Sequence, residues 1–117
     1  MREKERDYRD YLEDILDSII DIDQFIGDMG FEAFAEDRKT INAVIRSLEV
    51  IGEATKNIPD SVKKKYPSVP WKAMAGMRDK MIHGYFGVDI EILWMTATED
   101  IPALKPLIRD VLKKFGG

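Results

Sequence analysis

Ile41-Asn42-Ala43-Val44-Ile45-Arg46-Ser47-Leu48-Glu49-Val50-Ile51-Gly52-Glu53-Ala54-Thr55-Lys56-Asn57-Ile58 spaces its apolar side chains by three and four. Ile41, Val44, Ile45, Leu48, Ile51, Ala54 and Ile58 therefore line one stripe of a long amphipathic helix, which Pro59 stops. The same period runs N-terminally through Tyr8, Tyr11, Leu12, Ile15, Ile19, Ile22 and Ile26. Asp10, Glu13, Asp14, Asp17, Asp21 and Asp23 make the opposite face of that first helix acidic, and Gly27 and Gly30 punctuate its end. A short helical turn at residues 31–36 links the two.

C-terminal to Pro59 the pattern loosens. The segment from Pro59 to Pro70 holds three prolines, with Asp60-Ser61 read as the cap of a single helical turn. Trp71 to His83 reads as a third long helix, opened at Pro70 and closed at Gly84. Gly84 and Gly87 bracket a turn, and Asp89 caps a fourth helix whose apolar side is Ile90, Leu93, Trp94 and Ala97. Pro102 either kinks that helix or starts a fifth, which runs to Phe115 and ends at Gly116-Gly117. No segment alternates as a strand would, and there is no internal repeat. The expectation is an all-α chain, an up-and-down bundle of four or five helices forming one domain over residues 1–117.

Composition narrows the chemistry. At 117 residues, 44% apolar and 34% charged, the chain is an ordinary globular sequence. No apolar run approaches the ~18 residues of a spanning helix, and the charged start MREKERDYRD does not read as a signal peptide. A cytoplasmic protein with no membrane attachment is expected. Zero cysteines remove a thiolate nucleophile and any Cys-ligated metal, and one histidine, His83, removes a His-rich site within a single chain. No metal or cofactor is implied.

Net charge is −4, unevenly spread: residues 1–37 sum to −9 and residues 56–80 to +5. The whole molecule repels polyanions, but a local cationic region remains around Lys63, Lys64, Lys65, Lys72, Arg78 and Lys80. Lys72 and Lys80, beside the stretch Met77-Arg78-Asp79-Lys80-Met81-Ile82-His83-Gly84-Tyr85, are the candidate RNA-binding cations.

On a helix turning about 100° per residue, Asp79 and His83 lie about 40° apart, close enough for the carboxylate to hold one imidazole nitrogen. The other nitrogen is then available for proton transfer. Arg78 brings a permanent planar cation suited to phosphate oxygens. These parts suit metal-independent RNA cleavage: a base takes the 2′-hydroxyl proton, and a guanidinium stabilises charge building on the phosphate. One histidine serves poorly as both acid and base. A symmetric dimer would bring a second His83 and a second Arg78 to the same cleft.

Arg78-x4-His83-x-Tyr85 at the end of a helix resembles the signature of the HEPN superfamily. Asp37-Arg38-Lys39-Thr40 and Ala43 to Ala54 resemble the second helix of its HepT-like branch, as do Pro70-Trp71 before the signature and Val88-Asp89 with Trp94 after it. The likeness spans residues 6–115. It implies a homodimeric helical bundle whose signature helices meet in a shared cleft. It further implies the ribonuclease toxin of a toxin–antitoxin pair, with Arg78 and His83 catalytic and Asp79 supporting. The partner implied is a minimal nucleotidyltransferase antitoxin (MNT type) that transfers AMP onto Tyr85. An AMP there sets an anion beside Arg78 and repels RNA phosphate. Many relatives carry Asn where this chain has Asp79. The competing expectation is a non-catalytic nucleotide- or RNA-binding scaffold subunit of a nucleotidyltransferase complex.

Overall fold

A computed structural model describes residues 7–83 and 89–115, without the side chains of 78–83 and 115. Every regular element among the described residues is helical. The Asp7 carboxylate accepts a hydrogen bond from the Arg9 backbone N–H at 3.1 Å and opens α1 (Tyr8–Ile26). Leu12, Ile15, Ile19, Ile22 and Ile26 are buried as the three-and-four spacing requires, and Ser18 joins them. Gly27 ends the helix at φ +53, a backbone conformation that side chains rarely adopt, with its N–H on the Asp23 carbonyl at 2.9 Å.

The predicted short turn is α2 (Phe31–Ala35), and its Phe34 is fully buried. Asp37 caps α3 (Arg38–Lys56) by accepting from both the backbone N–H and the hydroxyl of Thr40. The helix ends before the boundary expected from Ile58 and Pro59. A residue preceding proline is pushed away from helical dihedrals, so Ile58 leaves the helix while its side chain stays buried. Asn57 closes the last turn, its side-chain amide donating to the Glu53 carbonyl at 3.0 Å.

The next turn, α4 (Asp60–Lys65), corrects a second expectation. Pro59 occupies the cap position, and Asp60 is the first helical residue rather than a capping group. There its negative charge still faces the positive end of the backbone dipole. Then α5 (Trp71–His83) follows, and Asp89 caps α6 (Ile90–Met95) through the Glu91 and Ile92 N–H groups.

Helical backbone continues from α6 through a π turn at Thr96–Asp100 into α7 (Ile101–Phe115). This resolves the two readings of Pro102. Proline cannot donate a backbone hydrogen bond, and its ring crowds the carbonyl four residues back. The π turn widens the helix just before it, with the Ile101 N–H reaching the Thr96 carbonyl, so the chain neither breaks nor starts afresh.

Helix α3 packs between α1 and α5, and α7 lies against α1. Small buried residues of α3 (Ser47, Gly52, Ala54 and Thr55) lie among its larger core side chains. Thr55 satisfies its hydroxyl on the Ile51 carbonyl at 2.7 Å. Trp94 on α6 rests on α2, its ring centroid 5.1 Å from that of Phe34 and 6.0 Å from that of Phe31. The molecule is elongated, 46 × 25 × 24 Å. Among the described residues no helix is long and apolar enough to cross a membrane.

Candidate active site

The candidate site belongs to α5, and its N-terminal half fixes where that helix points. Trp71 and Met74 are buried, one helical turn apart, and Met77 is half-buried on the turn after them. The Trp71 indole N–H donates to the Tyr66 carbonyl at 3.0 Å, which ties the start of α5 to the end of α4. Val62 and Val69, both buried, hold the intervening segment onto the core. A helix anchored this way against α3 continues without interruption through residues 78–83.

Arg78 and His83 both lie on α5, with Asp79 and Lys80 between them, and His83 is its last residue. Five residues of α-helix amount to about 140° of rotation and about 7.5 Å of rise, so one copy of α5 does not set Arg78 and His83 in a single row. Asp79 and His83, four apart, do share a face. Lys72 is exposed in the first turn, about 17 Å along the axis from His83 by helical rise. Tyr85 and the Gly84–Gly87 turn lie outside the described residues, as does the Gly116-Gly117 end. The side-chain geometry expected for Arg78, Asp79, Lys80 and His83 also lies outside them.

Gly76 is exposed and a Cβ there would meet nothing within 4 Å, so that side of α5 is open surface midway to the signature residues. Among the described residues no group of three or more His, Cys, Asp or Glu side chains is arranged to hold a metal ion.

The family model described as Ribonuclease HepT-like matches residues 15–111. The chain belongs to the HepT-like family. A protein of Thermococcus cleftensis named "Probable ribonuclease HepT" is 56% identical over 100 residues, covering 86% of this chain and 91% of that one. A protein of Methanocaldococcus jannaschii named "Putative RNase MJ0127" is 49% identical over 112 residues, covering 96% of this chain and 93% of its own. No solved structure matches.

Two features of this HepT-like chain escaped the sequence reading. The acidic face of α1 is only partly solvated: Asp17 and Asp21 are exposed, but Asp14 lines a 200 Å³ hollow with Tyr11, Arg46 and Glu53. The second is a 410 Å³ cleft between the start of α1, α4 and the end of α7, lined by Tyr8, Ser61, Val62, Lys65, Tyr66 and Lys114. It adjoins the N-terminal end of α5, not the His83 end. Partial burial, then Asp7 and Tyr66 nearby, raise the Tyr8 phenol above its ordinary value, so its hydroxyl stays neutral. Neither feature shows in a linear pattern, because each joins residues from helices far apart in the chain.

Proposed function

We propose that this chain is a metal-independent endoribonuclease, the toxic half of a toxin–antitoxin pair, acting through Arg78 and His83 at a cleft shared by two copies. The observation that carries the reading is their placement five residues apart at the end of one anchored helix, within a HepT-like match over residues 15–111. Relatives named as ribonucleases along nearly their whole length support RNA as substrate.

In the proposed reaction His83 takes the proton of a ribose 2′-hydroxyl. The freed oxygen attacks the adjacent phosphorus, and the bond to the 5′ oxygen of the next nucleotide breaks. That leaving oxygen takes up a proton, supplied by the second His83 of a symmetric pair. Arg78 meets the charge that accumulates on the non-bridging oxygens. The roughly 140° between Arg78 and His83 on one helix favours a cleft completed by a second copy. Asp79 positions His83, and Lys72 and Lys80 attract the RNA backbone.

Silencing follows from the same chemistry. An antitoxin of the minimal nucleotidyltransferase type would join the α-phosphorus of ATP to the Tyr85 hydroxyl and release pyrophosphate. The phosphodiester formed places an anion where RNA phosphate must bind.

RNA cleavage by the purified protein in EDTA is the test. Arg78→Ala and His83→Ala should each lower the rate by about 100-fold or more without changing Tm. Asp79→Asn should cut as fast as the unaltered chain or faster. Cleavage undiminished in both alanine variants would remove these residues from the mechanism. Intact mass after incubation with ATP and the product of the adjacent reading frame should rise by AMP units that map to Tyr85.

A further inference from the structure

The cleft between α4 and α7 does not stand alone. Along α7, Lys105, Arg109 and Lys113 recur every fourth residue and line a shallow hollow of 370 Å³ with Pro106 and Asp110. Asp110 is also the partner of Lys114, at 3.2 Å, and Lys114 lines the cleft. The Asp110–Lys114 pair therefore joins a residue lining the hollow to one lining the cleft, and the two lie side by side. Lys65 continues the cationic line across the cleft onto α4. Arg109, Lys113, Lys114 and Lys65 are exposed, and Lys105 is half-buried.

Among the described residues, the anions close to this line are Asp110, in a well-exposed ion pair, and Asp7, whose charge acts on Tyr8. Among the described residues, five cations outweigh them. The attraction of a helix C-terminus for cations accounts for Lys113 and Lys114 on α7 and for Lys65 on α4, but not for Lys105 or Arg109, which lie further back along α7. The cleft also holds two aromatic rings, Tyr8 and Tyr66, beside its lysines, and its 410 Å³ is of the size that accepts one small planar group. A cationic track that runs into an aromatic-lined cleft is the combination by which proteins hold single-stranded nucleic acid: cations follow phosphates, and rings stack on unpaired bases. An acidic protein segment would use the cations and leave the rings idle.

We propose that the α4–α7 cleft and the Lys105–Arg109–Lys113 stripe bind a single-stranded stretch of RNA away from the bond that is cut. The inference rests on reading the chain as an enzyme acting on RNA. It extends that reading by placing substrate contacts at the end of α5 opposite His83. Short RNA then reaches only the signature residues, whereas longer RNA gains the track as well.

The test is equilibrium binding of labelled oligouridylate of about 20 nucleotides, longer than a single site of this kind needs. The full chain is used in a His83→Ala background so that no strand is cut. Replacing Lys65, Lys105, Arg109 and Lys113 together by Gln should weaken binding at least tenfold. It should also make the dependence of log affinity on log salt shallower by about 3. Tyr66→Ala should weaken binding about fivefold or more, with Tyr66→Phe restoring it. Binding by the quadruple variant as tight as that of its parent would overturn the track, even if the unaltered chain cuts RNA. If the unaltered chain cuts no RNA yet these losses are seen, the track stands and the enzymatic reading falls. Displacement of the RNA by polyglutamate at equal charge would overturn the assignment to nucleic acid.

Discussion

Asp37 holds its carboxylate against the Thr40 backbone N–H at 3.1 Å and the Thr40 hydroxyl at 2.9 Å. These bonds, backbone first, favour the charged form and lower its pKa below the ordinary aspartate value of 3.8. The folded value lies below the unfolded one, so the stabilisation is complete above the unfolded value. It is lost as pH falls through the folded value. Asp37→Asn should keep the cap and the Tm near neutral pH but flatten the loss of Tm below about pH 4, whereas Asp37→Ala should lower Tm by a few degrees at pH 7. Thermal melts across that range check both; identical acid limbs in Asn and parent would refute the assignment. Residue-level detail of this kind was legible only in part. Asp89 announces its cap by position, but Asp60 looks equally like one, and only Pro59 in the cap position shows otherwise. The candidate residues Arg78, His83 and Tyr85 are picked out by the family resemblance rather than by spacing, since an arginine and a histidine near a helix end also fit a capping and ion-pair arrangement.

Among the elements, α1 and α3 follow from their sequences almost residue by residue, because a three-and-four stripe admits no other buried arrangement. What periodicity missed were the small buried positions Ser18, Ser47 and Thr55, whose side chains carry no apolar signal. It also left Pro102 undecided. A proline says that a hydrogen bond is lost, not whether the helix widens, bends or ends, and here a π turn absorbs the loss. The short α2 depends on one side chain. Phe34 is fully buried, and its ring lies 5.1 Å from Trp94 across the gap to α6. Phe34→Ala should cost about 3–5 kcal/mol in denaturant unfolding. It should also loosen α6, so amide exchange should rise in both α2 and α6. A loss confined to α2 would show that the aromatic contact does not couple them.

At the scale of the molecule, charge is arranged rather than abundant. A net charge of −4, with −9 in residues 1–37, gives no long-range attraction for RNA. Binding must come from local cations brought together by folding. The α4–α7 line shows why summing charge along the chain hides them: residues 81–117 total −1, yet Lys105, Arg109 and Lys113 share one side of α7. Helix α5 is anchored at Trp71 and ends at His83, and the proposed reading has a second copy complete the site there. Complementation tests that claim most directly. Arg78→Ala and His83→Ala chains, each inactive alone, are mixed under conditions that exchange protomers, and RNA cleavage in EDTA is measured. One intact arginine and one intact histidine from different copies should then meet in the mixed pair, and cleavage should rise clearly above that of either variant alone, while staying below the unaltered rate because the second His83 is missing. Cleavage that stays at the level of either variant alone would contradict a site shared between two chains.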